Sequence, residues 1–213
     1  MSSIFSVNRE FYESVKNHQF ENAQSLLFQG ANINSKLTIS LMLEAVIMED
    51  NEIVDFLIFN KIDLNIKNVG GSKILHRAIF IGDYSIIKSL IEGGALVNSR
   101  SSDVREHLDF ALYNYFSNHD DERLKCVKLL LDNGAEIFFN DRESTLDMPI
   151  FYNDCECVKL LLNYVNEEHI FSGNLFQNLI SKTKSPEMKK ILLDYIEETL
   201  AFRNKCPEEE TMN

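Results

Sequence analysis

The sequence holds few of the residues that interrupt regular structure: 3 Pro and 8 Gly among 213 residues. That scarcity excludes collagen-like repeats, long Pro/Gly-rich disorder and a turn-rich β-barrel. The 4 Cys follow no paired spacing, so reduced thiols inside a cell are expected rather than a disulfide framework. Basic residues are outnumbered 21 to 33, giving a net charge of −12. Nucleic acids and anionic membrane surfaces reward Lys and Arg, so neither is an expected partner. No apolar run approaches the roughly 18 residues that cross a bilayer. The opening MSSIFSVNRE lacks the basic start and apolar stretch of a secretory signal. What remains is an acidic cytoplasmic or nuclear protein, 45% apolar and 25% charged, with length enough for a substantial core.

Catalytic signatures are missing as well. The sequence has no G-x-S-x-G, no G-x-x-x-x-G-K-[ST] and no H-E-x-x-H. Gly70-Gly71 and Gly93-Gly94 are the only glycine pairs, one at an expected turn and one at a helix end. Cys155-Glu156-Cys157 has the wrong spacing for a zinc knuckle, and Cys157 falls on a core position equivalent to Ile53 and Ile86. His119, Asp120, Asp121 and Glu122 cluster in sequence, and a solvated surface loop is expected there rather than a cation site. No enzymatic activity, cofactor, metal or small-molecule substrate is expected.

What is present is repetition. Gly30-Ala31-Asn32-Ile33-Asn34 returns as Lys61-Ile62-Asp63-Leu64-Asn65, as Gly94-Ala95-Leu96-Val97-Asn98 and as Gly134-Ala135-Glu136-Ile137-Phe138. Successive copies are 31, 33 and 40 residues apart, so the last interval carries an insertion, assigned to a loop over 117–123. Before each copy runs an apolar segment with period 3.6: Ala23 to Leu27, Ile53 to Leu57, Ile86 to Ile91 and Cys126 to Leu131, with Cys157 to Leu162 as a fifth. Glycine at 30, 94 and 134 stands just past the periodic stretch, where a left-handed helix cap favours a residue without Cβ. A further apolar run, clearest at Lys73 to Gly82, precedes each second helix, and Asp83 is placed to cap the helix that follows.

One unit therefore reads turn, helix, tight turn, helix, glycine cap. It resembles the ankyrin repeat, whose unit of about 33 residues carries T-P-L-H-x-A at the first helix. Lys73-Ile74-Leu75-His76-Arg77-Ala78 matches at Leu75, His76 and Ala78. Ser144 to Pro149 keeps a hydroxyl residue and Leu146, and Glu106 to Ala111 keeps Leu108 and Ala111. The resemblance implies an all-α ankyrin-repeat solenoid of about six helix-turn-helix units with short β-turn fingers. The units are placed at about 8–35, 40–67, 72–100, 106–139, 144–166 and 174–199. Together they form one repeat domain over 1–199, with an acidic, disordered tail over 200–213. Ser185-Pro186 marks the start of the last helix. The resemblance also implies that His76 bonds to the neighbouring turn backbone. Asn34, Asn65 and Asn98 read as turn residues tolerant of unusual backbone angles.

The resemblance further implies a non-enzymatic protein-interaction module that binds a partner in a concave groove lined by first helices and finger tips. The finger residues are Lys67, Asn68, Ser72, Arg100, Asp103, Asn140 and Arg142, and the first-helix residues are Arg77, Phe80, Tyr113 and Phe151, with Tyr152 beside it. Aromatic and Arg side chains are the ones binding hot spots favour. The negative charge points to a partner with a basic surface, such as the basic segment of a transcription factor. In this the chain resembles inhibitor-of-NF-κB-like proteins, including the short ankyrin proteins that viruses and intracellular bacteria direct at host signalling. A structural scaffold or assembly subunit is the alternative.

Overall fold

A computed structural model describes residues 2–66, 74–98, 107–118, 120–138, 144–165 and 175–205. Among them are twelve helices: α1 (Ser2–Lys16), α2 (Phe20–Phe28), α3 (Lys36–Met48), α4 (Asn51–Phe59), α5 (Ile74–Ile81), α6 (Tyr84–Glu92), α7 (His107–Asn118), α8 (Asp121–Asp132), α9 (Asp147–Phe151), α10 (Cys155–Leu162), α11 (Leu175–Lys182) and α12 (Pro186–Lys205). The chain divides into two units, Met1–Ala135 and Glu136–Asn213. The expected finger tips, at about 67–72, 100–103 and 140–143, lie outside the described residues.

In the first unit the helices form two layers. First helices α1, α3, α5 and α7 pack each on the next, and second helices α4, α6 and α8 do the same behind them. Helix α2 packs on α1, and its Phe20 ring stacks on Phe56 of α4 at 4.8 Å. The second unit pairs α9 with α10 and α11 with α12, with α9 against α11 and α10 against α12.

A short sequence register explains the layers. Each first helix buries residues at i, i+3 and i+4: Phe11, Ser14 and Val15, then Met42, Ala45 and Val46, then Leu75, Ala78 and Ile79, then Leu108, Ala111 and Leu112. Leu146, Pro149 and Ile150 continue the series in the second unit. The middle position is always small, which lets neighbouring helices approach closely. Second helices bury a matching set: Ala23 and Leu26, Val54 and Leu57, Ile87 and Leu90, Val127 and Leu130, Val158 and Leu161. Neither helix of a pair can cover its own stripe, so stability comes from stacking. Each fully buried side chain of this size contributes roughly 1.5–3 kcal/mol.

The turns are equally repetitive. Between the helices of a pair the chain passes through one left-handed residue (His18, Glu49, Gly82 or Asn153) before the next helix begins. Asp50, Asp83, Asp120 and Asp154 then cap the second helices, accepting backbone N–H bonds from Ile53, Ile86, Glu122 and Cys157 at 2.9–3.1 Å. Ser185 caps α12 by accepting from Met188 N at 3.3 Å. Second helices of the first unit end on left-handed Gly30, Lys61, Gly94 and Gly134. The following N–H groups return to the carbonyls of Leu26, Leu57, Leu90 and Leu130, a Schellman closure.

Three expectations are corrected. Asn34, Asn65 and Asn98 are not left-handed turn residues, since none has a positive φ. They stitch neighbouring repeats together. Asn34 Oδ1 accepts from Asp63 N at 2.8 Å. Asn65 accepts from Leu96 N at 2.9 Å and donates to Gly94 O at 3.1 Å, and Asn98 donates to Gly134 O at 2.6 Å. Asn8 begins the series by accepting from Asn32 N at 2.7 Å. The extra residues of the fourth repeat do not form a loop over 117–123. Helices α7 and α8 are 12 residues each and reach Asn118 and Asp121, so the insertion lengthens helices. Helix α12 runs through to Lys205, so residues 200–205 of the expected tail are helical. Thr199, Leu200 and Ala201 carry the helix onward. Residues 206–213 lie outside the described residues.

The longer α8 also places Arg123 against α5. Its guanidinium donates to Phe80 O at 3.3 Å and Ile81 O at 3.0 Å, satisfying carbonyls at the end of that helix. Gly82 has φ +87, which favours glycine, and a Cβ there would stand 2.7 Å from Arg123 Nη1, so the guanidinium would have to shift.

Candidate functional site

Buried positions fix which side chains the first helices leave uncovered. Position 80 stands one residue past the buried Ile79 and ends up 52% exposed. Its repeat equivalents, 33 residues to either side, are Ile47 on α3 and Tyr113 on α7, both about half exposed. Because α3, α5 and α7 pack side by side, Ile47, Phe80 and Tyr113 form an apolar stripe across three repeats of the first unit. Beside it run Glu44, Arg77 and Phe110, again at matching register. Glu44 accepts from Lys16 of α1 at 3.0 Å, so a charged pair closes the stripe at that end.

The centre is aromatic. The Arg77 guanidinium carbon lies 5.1 Å from the Phe80 ring centroid, a cation–π contact within α5. Phe110 of α7 stacks on Phe80 at 6.2 Å and on His76 at 4.0 Å, nearly parallel at 17°. Burial, and then the neighbouring His107, lower the His76 pKa below the usual histidine value and keep the ring neutral. His107, itself buried, donates from Nδ1 to Val97 O at 2.7 Å. The turn to which His76 is expected to bond lies outside the described residues.

Of the residues singled out in the sequence, Arg77 and Phe80 lie together on α5 and Tyr113 on the adjoining α7. Phe151, 82% exposed, ends α9 in the second unit, with Tyr152 ring-edge against it at 5.3 Å. There Asp147 of α9 is held by Lys182 of α11 at 2.6 Å. Lys67, Asn68, Ser72, Arg100, Asp103, Asn140 and Arg142 lie outside the described residues. The base of the finger in the second unit is described: Thr145 N donates to Phe138 O, and Phe138 N donates to Thr145 Oγ1, both at 3.0 Å. Ile47 and Phe110 escaped notice in the sequence, although a count of 33 from Phe80 and from Arg77 reaches both.

Two of the cysteines, Cys126 and Cys157, are buried core residues. Burial pushes the Cys126 thiol up to about 11 and the Cys157 thiol up to about 12, so both stay protonated and behave as small apolar side chains. Among the described residues no group of His, Cys, Asp or Glu is arranged to hold a metal ion. No described helix is long and apolar enough to cross a membrane.

Comparison with known proteins agrees with the geometry. A family model of ankyrin repeats, three copies in length, matches residues 11–101 and again 41–141. The ankyrin repeat protein FPV034 of fowlpox virus (strain NVSL) is 26% identical over 139 residues, which is 64% of this chain and 31% of that protein. The chain thus spans about a third of the length of the curated relative it matches. The crystal structure of the human ASB11 ankyrin repeat domain superposes with a TM-score of 0.54 at 19% identity, covering 87% of this chain and 82% of that one. Repeat period, all-α solenoid fold and family match converge: the chain belongs to the ankyrin repeat family, whose repeats serve as protein–protein interaction modules.

Proposed function

We propose that the chain is a non-enzymatic binding protein that captures a partner on the first-helix face, along the stripe of Ile47, Phe80, Tyr113, Arg77 and Phe110. The single observation that carries this reading is the stripe itself. Three large apolar side chains sit at one register on three adjoining helices, where solvent alone would favour polar residues. Contiguous exposed apolar surface of this kind marks interaction sites. Lys67, Asn68, Ser72, Arg100 and Asp103, outside the described residues, are included in the proposal as partner contacts. For the second unit the proposal names Asn140, Arg142 and Phe151 as partner contacts of that unit by itself.

The net charge of −12 supports a partner with a basic surface, drawn in by long-range attraction and regulated by occlusion. A basic segment of a transcription factor has the required chemistry. The viral origin of the fowlpox relative supports the narrower reading that this partner is a host-cell protein.

Affinity capture with the purified chain tests the proposal, comparing wild type with R77A/F80A across a salt titration. A protein retained by wild type, lost from the double variant and released as ionic strength rises is the expected result. Capture unchanged by the substitutions overturns the site, and capture indifferent to salt overturns the basic partner.

A further inference from the structure

The second helices of the first unit differ from one another at one repeated position, the last residue before the closing turn. In the third and fourth repeats it is Glu92 and Asp132, both exposed. In the first and second it is Phe28 and Phe59, which are 85% and 78% exposed. The two acidic residues show what water accepts at this register. A single exposed phenylalanine needs no explanation. Two at the same register are different, because α2 and α4 are neighbours fixed by the Phe20–Phe56 stack at 4.8 Å. The rings therefore stand at one register on two adjoining helices.

Charge on the same helices is one-sided. Neither FENAQSLLF (α2) nor NEIVDFLIF (α4) contains Lys or Arg. Their outward residues include Glu21, Glu52 and Asp55. His18 holds Glu52 at 3.0 Å, whereas Glu21 and Asp55 have no cationic partner among the described residues. The later second helices neutralise themselves: Lys88 pairs with Glu92 at 3.8 Å on α6, and Lys125 pairs with Glu122 on α8. On α2 and α4 the phenylalanines are exposed, and Glu21 and Asp55 have no cationic partner among the described residues.

We infer that the outer face of α2 and α4 is a second docking surface, for a basic amphipathic helix of a partner protein. Apolar side chains of that helix cover Phe28 and Phe59 while its Lys or Arg residues reach Glu21 and Asp55. A second copy of this chain is the wrong occupant. A two-fold contact through this face would set Glu21 and Asp55 against the same carboxylates. The surface lies on the layer opposite the stripe on α3, α5 and α7, goes beyond the function proposed above and does not rest on it.

The test uses the full chain, labelled with nitrogen-15, and a synthetic amphipathic helix with leucine on one face and lysine on the other. Wild type should bind with chemical-shift changes centred on Ser25, Phe28, Asp55 and Phe59. F28E/F59D installs the acids of the later repeats. It should weaken binding about tenfold or more, although it adds two charges that attract the peptide. K189A, an exposed substitution on α12 of the second unit, should bind as wild type does. A melting curve confirms that F28E/F59D is folded, and F28S/F59S serves in its place if it is not. The inference is overturned by equal affinity in the phenylalanine variants, by shifts centred on α5 and α7, by no binding to wild type, or by a wild-type dimer that the variants abolish.

Discussion

The two units are built to the same plan but not to the same standard. In Met1–Ala135 every second helix closes through a left-handed residue and a bond back to a buried leucine, and asparagine side chains join each repeat to the next. In Glu136–Asn213, α10 ends differently. No described residue after α10 has a positive φ, and Tyr164 N and Val165 N return to Leu161 O at 2.9 Å and Leu162 O at 3.3 Å. Among the described residues of this unit no asparagine bonds to the neighbouring repeat. Helix α9 is also just 5 residues long. The buried Val158 and Leu161 nevertheless repeat the core register of the first unit. Core pattern alone thus suffices to stack helices, while glycine closures and asparagine links add regularity. The family model matches as far as residue 141, so it fades where those special residues stop.

Substitutions can break this comparison at graded depth. The largest effect belongs to the shared core: Leu130→Asp sets a charge at a site with 0% exposure. An uncompensated buried charge of this kind costs about 3–5 kcal/mol or more. We expect the cooperative thermal melt to be lost, and an unchanged melt would contradict the stacked-layer assignment. Next comes the link present only in the first unit. Asn65→Ala removes two bonds between repeats and should cost about 1–3 kcal/mol in urea denaturation. Asn163→Ala, at the C-terminal cap of α10 in the second unit, should stay within about 0.5 kcal/mol. Equal costs at the two positions would erase the distinction.

Gly94→Ala probes the closure itself. An added Cβ meets nothing within 4 Å, so only the left-handed backbone at φ +100 opposes it. A loss of about 1 kcal/mol is expected, and a larger one would show crowding that the geometry lacks. The smallest effect concerns acid. His76 is held neutral by burial and then by His107, with its folded pKa below the ordinary histidine value. As pH falls through that ordinary value the unfolded chain takes up the proton first, so stability declines until the folded value is passed. His76→Phe keeps a ring against Phe110 and should flatten the decline between about pH 7 and 5. An identical pH profile in the variant would remove His76 as its source.

Much of this was legible in the sequence, and for physical reasons. Gly30, Gly94 and Gly134 mark left-handed closures because other residues are strained there, and Asp83 marks a helix start because its side chain satisfies free N–H groups. The apolar period gave the layers, and with them the exposed registers of Phe80 and Tyr113. Illegible features depend on distance between repeats. Asn65 recurs visibly, yet its partners Leu96 and Gly94 are about 30 residues away along the chain, so its link looked like a turn preference. Arg123 reaches carbonyls of α5 across more than 40 residues, and no local pattern announces such a reach. The insertion looked like a loop because Asn118, His119 and Asp120 are turn formers, whereas Asp120 in fact starts α8.

Site-specific photocrosslinking tests the central claim most directly. A benzophenone side chain is placed at position 80 of the full chain and, as a control, at exposed Lys189 on α12. We expect one discrete adduct with a partner protein from position 80, lost when Tyr113 is also changed to Ala, and none from position 189. Adducts of equal yield from both positions, or none from position 80 while a partner is still captured, would contradict a binding surface on the first helices.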